Sequence, residues 1–218
     1  HLRGSAGQSR GAFRARGLAL HVVGDATDYG GKGLSGGLIA LSPAPELRAA
    51  ARFNAIIGNT CLYGATSGRL FAAGLAGERF AVRNSGAEAV IEGCGANGCE
   101  YLTGGRVVIL GPVGENFGAG MTGGMAFVYD PEARFDRMAN PETILWRRLG
   151  AAYWEGELKA LITAHVAHTG SVLGAELLQG WAQARDHFWQ IVPKEMLARL
   201  THALEDAPEG ASAAVAAE

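Results

Sequence analysis

A Ser-Gly or Thr-Gly dipeptide recurs through the first 130 residues, and this repeat constrains the fold more than any other feature of the sequence. It stands at Ser35-Gly36, Ser67-Gly68, Ser85-Gly86, Thr103-Gly104 and Thr122-Gly123. The intervals between its glycines are 32, 18, 18 and 19 residues. The long first interval holds Pro43, Pro45 and the segment Glu46–Arg52, which we interpret as an insertion in one repeat. Units of this length are too short for a pair of helices.

At two fixed distances after each dipeptide, the residue is always apolar. Four residues beyond the Ser or Thr stand Ile39, Phe71, Ala89, Val107 and Ala126. Six residues beyond it stand Leu41, Ala73, Ile91, Ile109 and Val128. Because side chains two residues apart point to the same face of a strand, each repeat is predicted to hold one strand with an apolar inward face.

The predicted fold is mainly β: a right-handed, single-stranded parallel β-helix in which like positions of successive coils stack on one another. Glycine supplies the positive-φ corners that such coils need. A left-handed helix of hexapeptide repeats is less favoured, because no six-residue period is present and crossover chirality favours the right-handed form. The open edges at the ends of the stack are expected to need covers.

The sequence divides into two regions near Asp130-Pro131. Residues 1–130 hold 27 of the 33 glycines, whereas residues 131–218 hold half of the 40 charged side chains in a shorter stretch. We therefore predict a glycine-rich β-helix over 1–130 and a mainly helical C-terminal extension over 131–218.

Within this extension, apolar spacing predicts a helix over Glu155–His168 that ends before Gly170. Ser171 is predicted to cap the next helix. The apolar run Phe188–Val192 precedes Pro193, which is predicted to begin a last helix through Leu204. The remaining segment, Pro208–Glu218, is predicted to be a frayed tail.

Composition excludes several classes of protein. Charged residues make up 18% and hydrophobic residues 48% of the chain, which is unlike a disordered sequence. A net charge of −2 gives no electrostatic footprint for nucleic acid, and no apolar run is long enough to cross a bilayer. Three cysteines are too few for a disulfide framework, and the first residues do not resemble a secretory signal, so we expect a cytoplasmic protein.

Two strings match the dinucleotide-binding pattern G-x-G-x-x-G. They are Gly31, Gly33, Gly36 and Gly118, Gly120, Gly123. A phosphate site would need a helix after the glycines, but a strand is predicted after both strings, so we interpret them as structural turns. Lys32, the single lysine of the first 130 residues, lies in the first string without the Walker pattern around it. An anion site built from turn amides near Lys32 stays open as an alternative.

The residues that could ligate a metal or perform acid–base chemistry do not assemble into a motif. Cys94 and Cys99 have no second cysteine pair to complete a zinc site, and with Cys61 they are expected to be small buried thiols. His165 and His168 share one helix face and are expected to pack or cap rather than to bind metal. We therefore predict no catalytic, cofactor-binding or metal-binding residue in this chain.

Several longer strings resemble the C-terminal domain of the glutamate synthase large subunit, which carries a GXGXG repeat. They are Arg3–Phe13, Gly24–Gly37, Gly77–Gly86, Gly98–Gly105, Asn116–Gly124, His165–Ser171 and Phe188–Lys194. The resemblance covers nearly the whole chain. Arg10 stands where this family usually has an aromatic residue, and Gly30 where it often has Val.

The resemblance implies a right-handed parallel β-helix and a scaffold role. The complete enzyme of this family makes two glutamates from glutamine and 2-oxoglutarate, using a glutaminase domain and a synthase domain that holds FMN and an iron–sulfur cluster. Neither the cysteine nucleophile nor the cluster cysteines of those domains have a counterpart here, so no cofactor is expected in this chain and those two domains are its expected partners. One alternative is a freestanding β-helix protein of another redox complex, similar to the C-type subunits of formylmethanofuran dehydrogenase; an anion-binding module is another.

Overall fold

The computed structural model describes residues 1–206 and is dominated by short strands that stack in register. In chain order they are β1 (Leu2–Arg3), β2 (Ala19–Val23), β3 (Ser35–Ser42), β4 (Ala55–Ile57), β5 (Ser67–Ala72), β6 (Leu75–Ala76), β7 (Ser85–Ile91), β8 (Thr103–Ile109), β9 (Gly123–Tyr129), β10 (Ile144–Arg148) and β11 (Phe188–Pro193). The large sheet has the order β1-β2-β3-β5-β7-β8-β9-β11-β10, and β4 pairs with β6 in a second, small sheet.

Seven strands of the large sheet, β1 through β9 without β4 and β6, run parallel, and each belongs to one coil of a solenoid. The chain is therefore a parallel β-helix, and the fold predicted from the repeat is confirmed. The stack also includes the coils of β1 and β2, which precede the first Ser-Gly dipeptide and were not part of the predicted alignment.

The predicted apolar columns are correct except in the coil of β5. There Leu70, and not Phe71, pairs with Ile39, and Ala72, and not Ala73, pairs with Leu41. The other repeats carry one more residue between the dipeptide and the apolar run than Ser67-Gly68-Arg69-Leu70 does. This missing residue shifts the column by one position, so Phe71 faces the helices outside the solenoid.

The core has two parts separated by the large sheet. One part fills the inside of the solenoid with the columns that include Ile39, Leu70 and Val107. The other part lies on the outer face of the sheet, where Phe71, Val90 and Phe127 pack against the helical segment. The sheet is thus buried on both faces over its central strands, as parallel sheets generally are.

The helical segment consists of α1 (Phe135–Met138), α2 (Ala152–Thr169), α3 (Val172–Gln179) and α4 (Trp181–Ala184). The predicted helix over 155–168 is confirmed as part of α2, which ends at Gly170 in the left-handed conformation with φ of 66°. The predicted cap is also confirmed, because the Ser171 hydroxyl accepts a hydrogen bond from the Gly174 N–H at the start of α3. Three 3-10 helices lie at Pro45–Phe53, Arg185–His187 and Lys194–Arg199.

Two features of residues 131–206 differ from the prediction. The run after residue 187 forms β11, which pairs antiparallel with both β9 and β10, so this region adds two strands to the sheet as well as helices. The helix predicted from Pro193 through Leu204 is wrong: a short 3-10 helix ends at Arg199 and no regular helix follows within the described chain. The division at residue 130 stays a prediction, and the predicted tail over 208–218 lies outside the described residues. No helix in residues 1–206 is long and apolar enough to cross a bilayer.

Candidate functional site

Each coil turns at a corner in which alternate residues adopt the left-handed backbone conformation. Six corners share this pattern, with φ between 53° and 72° at their first, third and fifth residues. These triplets are Ser9, Gly11, Phe13; Tyr29, Gly31, Gly33; Thr60, Leu62, Gly64; Arg79, Ala81, Arg83; Asn97, Cys99, Tyr101; and Asn116, Gly118, Gly120. We call them the left-handed corners. Only six of these eighteen residues are glycine, so the conformation is imposed mainly by the stacking and not by residue type.

The left-handed corners are joined by backbone hydrogen bonds that alternate in direction. The first and fifth residues donate to the next coil, as Ser9 N–H does to Asp28 C=O at 2.8 Å and Phe13 N–H to Lys32 C=O at 2.8 Å. The third residue donates to the preceding coil, as Gly31 N–H does to Arg10 C=O at 3.0 Å. The N–H groups of the three left-handed residues thus point alternately toward the next coil and the preceding coil. The corners are therefore hydrogen-bonded along the stack, as neighbouring strands are.

Both G-x-G-x-x-G strings fall on left-handed corners. Their first two glycines are the third and fifth corner residues, and the strands β3 and β9 follow immediately. This position agrees with the interpretation as structural turns and provides no helix N-terminus for a pyrophosphate group.

The anion site proposed near Lys32 is not supported by the geometry of its corner. The amides of Gly31, Lys32 and Gly33 donate to carbonyls of Arg10, Tyr29 and Tyr63, respectively. No free N–H of these three residues is left to bind an anion. The Lys32 ammonium lies 5.6 Å from the Tyr29 ring centroid and 5.9 Å from that of Tyr63, which is a cation–π position on the outside of the corner.

The glycines of the repeated dipeptide permit close contact between coils. A Cβ atom on Gly86 would lie 2.2 Å from the Thr66 carbonyl oxygen, and one on Gly104 would lie 2.2 Å from that of Ser85. These distances are far below van der Waals contact with a backbone atom that has no freedom to move. The close packing of neighbouring coils therefore requires glycine at these dipeptide positions.

The three cysteines are buried inside the solenoid, as predicted. Cys61 and Cys99 occupy left-handed corners, and Cys94 follows β7. Burial raises the pKa of the Cys61 and Cys94 thiols to about 12 and the pKa of Cys99 well above its usual value. Over residues 1–206, no group of three or more His, Cys, Asp or Glu side chains is arranged to hold a metal ion.

A buried polar cluster connects the solenoid to the helices, and no sequence pattern indicated it. Glu92 at the end of β7 is 1% exposed, His165 in α2 is 0% exposed and Ser171 at the cap of α3 is 2% exposed. The Ser171 hydroxyl donates to Glu92 Oε1 at 2.5 Å across 79 residues of sequence. His165 Nε2 lies 3.7 Å from the same carboxylate oxygen. We call these three residues the junction cluster.

The junction cluster is arranged for attachment and not for nucleophilic chemistry. The Ser171 hydroxyl donates to the Glu92 carboxylate and accepts the Gly174 N–H at 2.9 Å, so its two hydrogen bonds join the solenoid to the start of α3. At 2% exposure the hydroxyl is also withdrawn from solvent. Burial lowers the pKa of His165 below 6.5, although the neighbouring Glu92 carboxylate acts in the opposite direction. His168, the other predicted packing histidine, stacks on Phe71 with ring centroids 5.5 Å apart.

The insertion predicted in the first interval of the repeat contacts α3 and the α2–α3 connection, next to the junction cluster. It forms the 3-10 helix Pro45–Phe53, and Arg52 pairs with Glu176 of α3 at 2.6 Å. The Arg48 guanidinium lies beside Gly170, which connects α2 to α3. A Cβ atom on Gly170 would be 3.2 Å from one nitrogen of that guanidinium. On the outer face of the sheet, Arg106 of β8 bridges Glu88 of β7 and Glu157 of α2.

Comparisons with known proteins agree with this architecture. A family model described as the GXGXG motif matches residues 1–194. The chain is 54% identical over 193 residues to ferredoxin-dependent glutamate synthase 2 of Synechocystis sp., with 88% of this chain covered and 12% of that protein. It is 55% identical over 199 residues to the glutamate synthase [NADPH] large chain of Azospirillum brasilense, with 91% of this chain covered and 13% of that protein.

A third relative, the glutamate synthase [NADPH] large chain of Bacillus subtilis, is 47% identical over 204 residues, which are 92% of this chain and 13% of that protein. The chain thus spans between 12% and 13% of the length of these curated relatives. Because the family model covers most of the chain and the relatives agree in name, the chain belongs to the GXGXG motif family and is a glutamate synthase β-helix domain.

Proposed function

We propose that this chain is a non-catalytic scaffold of glutamate synthase, which holds the glutaminase and FMN-binding synthase domains in register so that ammonia passes between them. The reaction is the conversion of glutamine, 2-oxoglutarate and reductant into two glutamates. FMN and the iron–sulfur cluster belong to the other domains in this proposal, and the chain contributes a spacer of fixed length.

The observation that carries this proposal is the continuity of backbone pairing along the stack. Neighbouring coils are joined on one side by the strands of the large sheet and on the other by the left-handed corners. A solenoid paired on two sides resists both bending and sliding of one coil over the next. This is the mechanical property that a spacer between two active sites requires.

The junction cluster adds a second support. Through Glu92, Ser171 and the Arg52–Glu176 pair, the helices are attached to the middle of the stack and not only to its end. A surface carried by α2 or α3 therefore keeps a constant position relative to the coils. Two partner domains, one in contact with the helices and the other with the solenoid, would therefore be held at a constant separation.

The alternatives receive less support. A freestanding protein of another redox complex would not be expected to be 54% and 55% identical to glutamate synthases over most of its length. An anion-binding module would need free turn amides at Lys32, and those amides are occupied.

The test compares two glycine variants in the intact enzyme that contains this chain. Gly104→Ala would press a Cβ against the Ser85 carbonyl, whereas Gly156→Ala lies in α2 with open space around it. We expect Gly104→Ala to raise the free ammonia released per glutamine consumed, and Gly156→Ala to keep the parent ratio. A Gly104→Ala enzyme with increased hydrogen exchange in β7 and β8 but an unchanged ammonia ratio would exclude the scaffold role. If Gly104→Ala fails to assemble, the milder Ser171→Ala is measured in its place with the same criteria.

A further inference from the structure

A cleft lies beside the junction cluster, where the chain leaves the ends of β7, β8 and β9. It has a volume of about 550 Å³, and residues of the 3-10 helix Pro45–Phe53 and of α1 contribute to its lining. Most of its walls are apolar side chains, namely Leu110, Val113, Val128, Phe135, Met138 and Leu173. We call it the junction cleft.

Glu92 also lines the junction cleft, and its two carboxylate oxygens differ in their surroundings. Oε1 accepts the Ser171 hydroxyl at 2.5 Å and lies 3.7 Å from His165 Nε2. Oε2 is buried and has no hydrogen-bond partner within residues 1–206. Because a buried carboxylate oxygen without a donor is unfavourable, a donor that reaches the cleft is stabilised most strongly at Oε2.

The surroundings of Glu92 favour a cationic donor over a neutral one. Among the described residues, His165 is the one basic side chain in ion-pair range of this carboxylate. Burial lowers the pKa of His165 below 6.5, so its imidazole is neutral at pH 7. The charge of Glu92 is therefore buried without a cation, and a positively charged donor would offset that burial better than a neutral one.

We propose that the junction cleft binds a small amphiphilic amine, which is a primary ammonium group on a hydrocarbon chain. The ammonium group donates to Glu92 Oε2, and the hydrocarbon chain lies along the apolar walls. Phe53, which lines the cleft and is 76% exposed, covers part of that chain. The volume of the cleft lies within the range of small-molecule sites, roughly 300–1,000 Å³.

An anionic ligand fits this cleft less well. The two arginines that line it already form ion pairs, Arg52 with Glu176 and Arg134 with Glu132. An anion would have to break one of these pairs while it lies near the buried charge of Glu92. The unpaired oxygen of Glu92 would also remain without a donor.

A metal ion or a purely apolar ligand is also a poorer match. Asp130, the other buried carboxylate of the cleft, accepts hydrogen bonds from the backbone N–H groups of Arg134 and Phe135 and from the Trp189 indole. Within residues 1–206, no three His, Cys, Asp or Glu side chains are arranged as metal ligands. An apolar ligand would fill the walls but leave Glu92 Oε2 unpaired. The amine site goes beyond the scaffold proposal, and its test does not depend on ammonia transfer.

The test is peptide-resolved hydrogen exchange on the intact enzyme that contains this chain, with n-hexylammonium as the probe. Hexan-1-ol, which has the same hydrocarbon chain without the charge, is the control ligand. At saturating hexylammonium and neutral pH, we expect peptides that cover residues 110–113 and 171–174 to exchange at least about threefold more slowly. Hexan-1-ol should produce a smaller change. Equal protection by the two compounds, or protection by neither, would overturn the proposal.

Two matched variants assign the effect to one carboxylate. Glu92→Gln keeps an oxygen that accepts the Ser171 hydroxyl but removes the charge, and it should abolish the protection by hexylammonium. Glu132→Gln removes an exposed carboxylate of the same cleft and should leave that protection unchanged. If Glu92→Gln does not fold, Val113→Trp, which fills the cleft with an indole ring, takes its place and should also abolish the protection. Protection that persists in the variant measured would show that the amine binds elsewhere and would exclude this site.

Discussion

At the scale of the residue, the unusual property of this chain is the number of non-glycine residues in the left-handed conformation. Leu62, Ala81 and Cys99 are fully buried with φ between 56° and 61°. Each such residue costs about 1 kcal/mol relative to an ordinary backbone conformation. Their amides are bonded to the preceding coil and their side chains fill the core, so the interactions between coils offset the local strain.

The dipeptide glycines are predicted to be essential for stability. Gly104→Ala places a Cβ 2.2 Å from a backbone oxygen, and we expect it to lower the free energy of unfolding by about 2–4 kcal/mol. Gly156→Ala lies in the interior of α2, where the new Cβ would meet no atom within 4 Å outside the backbone of its own helix, and it is expected to raise the free energy of unfolding by about 0.5–1 kcal/mol. Urea unfolding of the isolated chain measures both values, and similar changes for the two variants would contradict the close-contact explanation.

The cysteines are predicted to be unreactive in the folded protein. Since burial raises the pKa of Cys61 and Cys94 to about 12 and also raises that of Cys99, the reactive thiolate is almost absent at neutral pH. Titration with a thiol reagent at pH 7.5 should modify none of the three within minutes and all three in denaturant. Rapid modification of one thiol in the native protein would show that its coil opens.

Most of the residue-level pattern could be predicted because the repeat acts through spacing. The alignment correctly placed the inward positions Ala89, Val107 and Ala126. It failed at Phe71, because one residue is missing after Gly68 and the dipeptide alone does not reveal the shift. Positive-φ corners were expected at glycines, but their non-glycine members could not be predicted, since residues such as Leu62 and Arg83 have no intrinsic preference for that conformation.

At the scale of the element, the attachment of the helices to the sheet depends on a few buried polar groups. The helix of residues 152–169 was predictable from its apolar spacing and its terminal glycine. The strands β10 and β11 were not, because the antiparallel pairing with β9 is a tertiary contact that covers a sheet edge. The junction cluster was also missed, since Glu92 and Ser171 are distant in sequence and neither belongs to a recognisable motif.

The cap of α3 is predicted to contribute more than an ordinary helix cap. Ser171→Ala removes the acceptor for the Gly174 N–H and leaves the buried Glu92 carboxylate without its hydroxyl donor. We expect a loss of about 2–3 kcal/mol in the free energy of unfolding. Thr163→Ala is the matched control, because it removes an exposed helix hydroxyl that bonds only to the Lys159 carbonyl. A loss no larger than that of the control would mean that the cluster does not stabilise the junction.

The same cluster predicts that acid weakens the fold. Burial lowers the pKa of His165 in the folded chain below 6.5, so the unfolded chain binds a proton at His165 more readily than the folded chain does. The stability is therefore complete above about pH 6.5 and falls as the pH is lowered from there toward the folded pKa. Urea unfolding between pH 7.5 and 5.5 should show this decrease, and His165→Leu should reduce its slope. Stability that is constant or greater at pH 5.5 would contradict the assignment.

At the scale of the whole molecule, β11 covers the edge of β9 and the helical segment packs along one side of the solenoid. The repeated dipeptides and apolar positions produce the stack of coils. Segments outside the repeat make its other contacts: the 3-10 helix Pro45–Phe53 connects it to α3, and β11 pairs with β9. This division explains why the fold was predictable and the attachments were not. A repeated pattern can be recognised in a single sequence, whereas a tertiary contact that occurs only once produces no periodic signal.

The most direct test of the central claim, that the chain is a rigid spacer, is a distance distribution between its two ends. Spin labels at Gln8→Cys, just before the first corner, and Glu142→Cys, beyond the last corner, would use two exposed positions. Since strands stack about 4.8 Å apart, six intervals between seven coils predict a separation of about 30 Å. Pulsed electron paramagnetic resonance on the labelled chain should give one narrow distribution near this distance. A broad or bimodal distribution would contradict the account, because a stack that bends or opens does not hold two domains at constant separation.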